Sequence, residues 1–251
     1  MAARELGYRI HALDPDPSCA ARFVVEQCIT APFDDALAAA WLAHHVGVVT
    51  IEIESIAHAA LLAAAEHAPV RPGPDILAMI QDRVAQKTWL ADHGFPVGPF
   101  RVARSEVELR EGLGALSGPC FVKAARGGYD GRGQHEAASR ADAAATWEAL
   151  GRGPCVAELR LSLEAELSVL VARSPSGEVA VHPPAMNHHE QRILAWSVLP
   201  APLPAPLLRR AEEIGRALAD KMKIEGLLVV ELFLVGGALL VNALAPRPPH
   251  S

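Results

Sequence analysis

Two rhythms of hydrophobic and polar residues run through this chain, and the switches between them mark its elements. Residues 2–6 end a short helix at Gly7, residues 8–13 follow as a strand, and Asp14-Pro15-Asp16-Pro17 closes that strand because proline cannot donate to a ladder. A helix is predicted over 34–45. The β-branched run 46–51 then reads as a buried parallel strand. Such runs alternating with alanine-rich helices predict an α/β layer, although a doubly wound unit normally begins on a strand and this chain begins in a helix.

The proline-rich stretch 69–74 reads as a boundary, followed by one helix over 75–93 that Gly94 to Pro99 terminates. Beyond it the pattern predicts a strand, a helix over 105–116, a strand over 120–123, a glycine-rich loop, a helix over 141–150 and a strand over 155–158. Strands over 167–172 and 179–182, a loop over 200–206 and a helix over 206–222 come next. Two apolar strands, 227–234 and 238–244, are joined by Gly236-Gly237, a two-residue hairpin signal. There is no internal repeat.

Composition narrows the class. The chain has 251 residues, 51% hydrophobic and 21% charged, enough to bury a substantial core. A net charge of -6 leaves no basic excess to displace counterions from nucleic acid. The four cysteines form no Cys-x-x-Cys pair, no leader-like stretch opens the sequence, and no apolar run nears the roughly 20 residues of a spanning helix. The expectation is a soluble cytoplasmic protein without nucleic-acid or membrane partners.

Candidate chemistry centres on Lys123, which ends an apolar strand and precedes a loop with four glycines and the cations Arg126 and Arg132. Glycines let backbone amides approach an anion, so the loop is either a phosphate cradle or a flexible surface turn. It is neither a Walker A loop nor a dinucleotide fingerprint. Glu158, Glu164 and Glu166 lie at strand ends, and Glu231 interrupts a strand that otherwise reads as buried. A buried charge must be paired or bound to metal, so Glu231 is a candidate site residue; the alternative is an edge strand that turns it to solvent. Oxygen ligands of this kind suit magnesium. His182, His188 and His189 lack a completing ligand for zinc, and no Gly-x-Ser-x-Gly elbow is present.

Taken in order, Leu13-Asp14-Pro15-Asp16-Pro17, Arg71-Pro72, Gln81-Asp82-Arg83, Lys87, Val122-Lys123, the run from Arg126 to Gln134, Val229-Val230-Glu231-Leu232-Phe233 and Ala245-Pro246-Arg247-Pro248 resemble the 5-(carboxyamino)imidazole ribonucleotide synthases. The resemblance implies an α/β and α+β protein: an ATP-grasp fold preceded by an incomplete Rossmann-like domain. Residues 1–74 would form that pre-ATP-grasp domain and 75–251 the ATP-grasp domain, with a small lobe at about 94–157 and a large lobe at about 158–251, the family's closing domain being absent.

By the same resemblance, the cofactors are ATP and Mg2+. Arg83 and Lys123 contact phosphates, and Gly128, Tyr129, Asp130, Gly131, Arg132, Gly133 and Gln134 close over them. Glu158, Leu159, Arg160 and Leu161 form the hinge that reads adenine. Glu166 corresponds to a ribose ligand and His189 to a nucleotide contact. Glu231 corresponds to a metal ligand, Asn242 is the candidate to replace a second one, and Asn242 and Ala243 line the ATP site. Arg247 meets the ribonucleotide and joins Lys123 in the catalytic set.

The implied activity is that of an ATP-dependent ligase: bicarbonate attacks the γ-phosphate, and aminoimidazole ribonucleotide accepts the carboxyl group. A homodimer is also implied. Ala243 stands where the family has a second magnesium-binding glutamate, Arg192 where glycine is usual and Leu159 where a polar hinge residue is common. The family's opening strand and Gly-Gly-Gly-Gln-Leu-Gly turn, and its Asn-Ser-Gly-His segment, have no counterpart. A truncated nucleotide-binding protein with weak catalysis, or a ligase with another substrate, are the alternative expectations.

Overall fold

The computed structural model describes residues 2–127, 133–190 and 193–248, and the chain folds as two compact units, Met1–Ala78 and Met79–Ser251. In the first unit, α1 (Ala2–Glu5) precedes β1 (His11–Asp14), which pairs in parallel with β2 (Gln27–Thr30). β1 starts later than the pattern predicts, because Ile10 N is held by the Glu26 carboxylate instead of a strand partner. After β1, Asp14 accepts from Asp16 N and Asp16 from Ser18 N, each at 2.8 Å, which turns the chain. The helices α2 (Ala36–His44), capped by the Asp35 carboxylate on Leu37 N and Ala38 N, and α3 (His58–Ala65) pack on one another.

The strand expected over 46–51 does not form. Val49 makes one parallel bridge, to Val70, through bonds to Pro69 O and from Arg71 N, each 2.9 Å. Pro69 and Pro72 flank that partner and have no N–H to extend a ladder. Val49 and Ile51 still bury in this unit's core with Leu61, Ala64 and Val70.

The single helix expected over 75–93 is two, α4 (Pro74–Gln81) and α5 (Arg83–Asp92). Asp82 breaks them: its backbone is extended (φ −104°, ψ 105°) and its carboxylate caps Ala85 N at 3.1 Å. Apolar periodicity continues through such a break, so the pattern alone runs the two together.

In the second unit, β3 (Phe100–Ala103), β6 (Cys155–Leu159), β4 (Cys120–Ala124) and β5 (Gln134–Ala137) form an antiparallel sheet in that order. Against it pack α6 (Glu106–Leu116), capped by Ser105, and α7 (Ala143–Ala149), burying Leu109, Leu113, Val122 and Ala157. The helix expected from 141 begins as a 3-10 turn, Arg140–Asp142.

A second sheet has the order β10 (Ile193–Val198), β9 (Ala185–Glu190), β7 (Ala165–Arg173), β11 (Gly226–Val235) and β12 (Ala238–Ala245), with β8 (Val179–Val181) also on β7. One face is covered by α8 (Ala205–Met222), which buries Ala211, Ile214, Leu218 and Met222. Gly215 lets the helix approach closely, since a Cβ there would lie 3.0 Å from Val171 and 3.1 Å from Val169. Gly236 and Gly237, both at positive φ, make the expected tight hairpin. β9 and β10 escape the sequence pattern because one is polar and the other mostly exposed, so neither shows the alternation that burial on one face imposes.

Candidate functional site

Four charged side chains converge in the second unit. Lys123 near the end of β4 and Glu158 on the adjacent β6 are diagonal neighbours, with Lys123 Nζ 2.9 Å from Glu158 Oε2. Arg83 and Lys87, one turn apart on α5, approach the other oxygen, Glu158 Oε1, at 3.6 and 3.8 Å. The break at Asp82 aims that helix. Arg83 N donates to Ala125 O at 2.8 Å, and Arg126 Nε donates to the Asp82 carboxylate at 3.1 Å, tying the start of α5 to the chain that leaves β4.

Three cations thus surround one carboxylate, an excess of two positive charges. Lys87 has only 3% of its side chain exposed, and Glu158 12%. Burial depresses the Lys87 ammonium to about 8 against the pull of Glu158, and burial likewise lowers Lys123. Burial would raise Glu158, but Lys123, Lys87 and Arg83 together outweigh it and hold the carboxyl below its ordinary range. A partly buried excess of like charge is unfavourable on its own, and an anion relieves it.

Opposed to this cluster in charge is the face of the larger sheet that carries Glu231. Glu231 is exposed, which overturns its reading as a buried carboxylate, and β11 is flanked by β7 and β12, so it is not an edge strand either. Its charge favours the ammonium form of Lys123, the last and smallest of the influences on that group. Across from it β12 bulges: Glu231 pairs with Ala243 and Leu232 with Val241, leaving Asn242 as the extra residue. Val241 and Leu244 are buried, so the bulge turns two consecutive residues, Asn242 and Ala243, toward the Glu231 face. Asn242 Nδ2 donates to Glu231 Oε2 at 3.3 Å, while its buried Oδ1 has no partner among the described residues.

On the same sheet His189 Nδ1 lies 3.0 Å from Glu166 Oε2, across the β7–β9 pairing. His188 turns the other way and stacks on Trp196, with centroids 4.7 Å apart. No group of three or more His, Cys, Asp or Glu that could hold a metal occurs among the described residues. At the end of β6, Leu159 N donates to Pro99 O at 3.0 Å and Arg160 N to Pro119 O at 2.8 Å, and the Arg160 guanidinium lies over the Phe121 ring. Gln134 pairs with Lys123, and Gly133 O accepts from Ala124 N, so the glycine-rich loop leaves and returns at the cluster. Gly128, Tyr129, Asp130, Gly131 and Arg132 lie outside the described residues, as does Arg192. Arg247 follows β12, with its Nη1 donating to Pro248 O at 2.9 Å. A cleft of about 790 Å3 between Ala85, Trp89, Arg104, Arg126 and Pro154 contains none of the four clustered charges.

Residues 88–251 match the ATP-grasp domain family, and residues 1–81 match the ribonucleotide synthetase preATP-grasp domain family. The chain is 36% identical over 254 residues to N5-carboxyaminoimidazole ribonucleotide synthase from Brucella melitensis, covering 100% of this chain and 70% of that protein. This chain belongs to the N5-carboxyaminoimidazole ribonucleotide synthase family. Its structure matches the ADP complex of an N5-carboxyaminoimidazole ribonucleotide synthetase with a TM-score of 0.92 and 36% identity, covering 99% of this chain and 66% of that one. The Aspergillus clavatus N5-carboxyaminoimidazole synthase in complex with ADP and 5-aminoimidazole ribonucleotide matches at a TM-score of 0.87 and 26% identity, covering 98% and 65%. The chain spans about two thirds of the length of these family members.

Within this N5-carboxyaminoimidazole ribonucleotide synthase framework, two residues join the site that were not among the expected ligands. Lys87 was legible only as part of the family pattern, although a second cation one helical turn after Arg83 is a usable signal. Gln86, buried beside it, carries no signal in the sequence, because its partner Leu244 is 158 residues away.

Proposed function

We propose that this chain is an ATP-dependent ligase that carboxylates 5-aminoimidazole ribonucleotide with bicarbonate. The single observation that carries the reading is the cluster of Arg83, Lys87 and Lys123 around Glu158, with two positive charges in excess. Such a cationic cluster suits a polyphosphate, and Glu231 would suit a divalent ion that accompanies it. On this reading residues 1–74 form the preATP-grasp domain and 75–251 the ATP-grasp domain.

Arg83 and Lys123 neutralise phosphate oxygens. The segment from Glu158 to Leu161 reads adenine. With the Leu159 and Arg160 amides already used, the base takes its contacts from other backbone groups there. Glu166, oriented by His189, accepts from the ribose. Glu231 and the Asn242 amide would hold magnesium together with ligand phosphates; the unpartnered buried Oδ1 and the exposed Glu231 carboxylate are donors of the right hardness. When bound, the metal supplies charge neutralisation between phosphate oxygens. In the reaction, a bicarbonate oxygen attacks the γ-phosphorus, ADP leaves, and carboxyphosphate forms. The exocyclic amine then attacks the carboxyl carbon, phosphate leaves, and the amine loses a proton. Arg247 binds the ribonucleotide. The protein acts by positioning and by charge neutralisation.

Ala243 favours a second reading, nucleotide binding with weak turnover. It sits opposite Glu231 on the same face and offers no side-chain oxygen. ADP release measured with ATP, magnesium and bicarbonate, with and without 5-aminoimidazole ribonucleotide, separates the two. Stimulation by the ribonucleotide supports the ligase; ATP binding without release supports the second reading. No binding at all rejects both.

A further inference from the structure

Gln86 is 4% exposed, and neither the charged cluster nor the apolar core accounts for it. Its side-chain amide meets the outer edge of β12. Nε2 donates to Leu244 O at 3.4 Å and to Ile80 O at 3.1 Å, and Oε1 accepts from Leu244 N at 3.3 Å. A primary amide offers the same donor and acceptor as a peptide group, so Gln86 does for Leu244 what a residue of a neighbouring strand would do. Three residues earlier on that edge, Val241 N donates to Pro96 O at 2.6 Å and Val241 bridges Val97 in parallel. Between these two anchors lie Asn242 and Ala243, the bulge itself.

A bulge leaves its extra residue unpaired, and on an edge strand no second ladder holds that residue in place. Anchors on both sides remove that freedom. Gln86 also precedes Lys87 on α5, so one helix carries part of the cationic cluster and fixes the strand that faces Glu231. α5 itself is held independently, by the Asp82 cap, the Arg83 N bond to Ala125 O and the Arg126–Asp82 pair. Loss of the Gln86 amide therefore falls on β12 and spares the cluster.

We propose that Gln86 is a positioning residue whose amide holds the β12 bulge in register, so that Asn242 stays beside Glu231 at a set distance from the Lys87–Glu158 cluster. The inference rests on the site being a magnesium–nucleotide site. It assigns Gln86 to the metal-dependent part of nucleotide binding.

The test is calorimetric titration of ADP into the full chain with and without magnesium. In the wild type magnesium tightens ADP binding. Gln86→Met, close in volume but unable to form the three bonds, loses ~10-fold or more of that enhancement, as outer-sphere substitutions do, while metal-free ADP affinity changes less than about 3-fold. Gln86→Glu, which keeps the acceptor and loses the donor, is measured alongside and falls between the two. An undiminished enhancement in the folded variants overturns this proposal alone, even if their melting temperatures drop. If neither variant folds, Gln86 serves fold stability and the proposal is overturned. A wild type that binds no ADP overturns the functional reading and this proposal with it.

Discussion

Lys123 and Glu158 meet at 2.9 Å across neighbouring strands, yet their charges do not close into a neutral pair, because Arg83 and Lys87 approach the second carboxylate oxygen. Glu158 organises the three cations and cannot satisfy them. A polyphosphate completes the cluster, and the cluster in turn sets what each substitution should do.

Lys123→Ala removes a charge that is 16% exposed and aligned with its partner. ATP affinity should fall by about 2–3 kcal/mol, the worth of one charge-assisted contact. Calorimetry checks this, and unchanged affinity would remove Lys123 from the site.

Glu158→Gln leaves three cations facing one another with no compensating charge. Stability should drop by about 3–5 kcal/mol, as for other broken buried pairs, and sulfate or ATP should restore much of it. Thermal melts over a sulfate series test the idea; a variant that melts like wild type and ignores sulfate would refute it.

Lys87 titrates near 8 in the folded protein and higher in the unfolded chain, where its ordinary value is 10.5. Between those values the unfolded state binds more protons, so this group's destabilising effect is full below about pH 8 and fades as pH rises toward 10.5. Phosphate nearby favours the charged form. ATP binding around pH 8–9 should therefore take up a proton, seen as a binding enthalpy that depends on the buffer's ionisation enthalpy. Lys87→Met should reduce the dependence, and an equal dependence in both proteins would exclude Lys87 as its source.

Ala243→Glu would add a carboxylate opposite Glu231 on the open face. Magnesium-dependent ADP release should rise, by ~10-fold or more if the first coordination sphere is what limits turnover. A magnesium titration with no gain would mean that the limit lies elsewhere.

Much of the scaffold was written in local pattern. The helices expected over 105–116 and 206–222 form as α6 and α8, and Gly236-Gly237 marked a hairpin that both positive φ angles realise. The ordered motifs around Lys123, Glu231 and Arg247 carried the family, because each residue type there is tied to phosphate or metal chemistry whatever its surroundings.

Tertiary structure decided the rest. The break at Asp82 depends on Arg126 and Ala125, more than 40 residues away, and without it one long helix is an equally good reading of the same periodicity. The exposure of Glu231 depends on which face α8 covers. Periodicity reports only that successive strand residues alternate, not which side is inside. At Asn242 even alternation fails, since a bulge adds a residue and turns two neighbours to one face, and what holds it there is an amide 158 positions distant. Sequence determines what each residue can bond. Which partners come within bonding distance is set only when remote segments share an edge, and the site is assembled from those contacts.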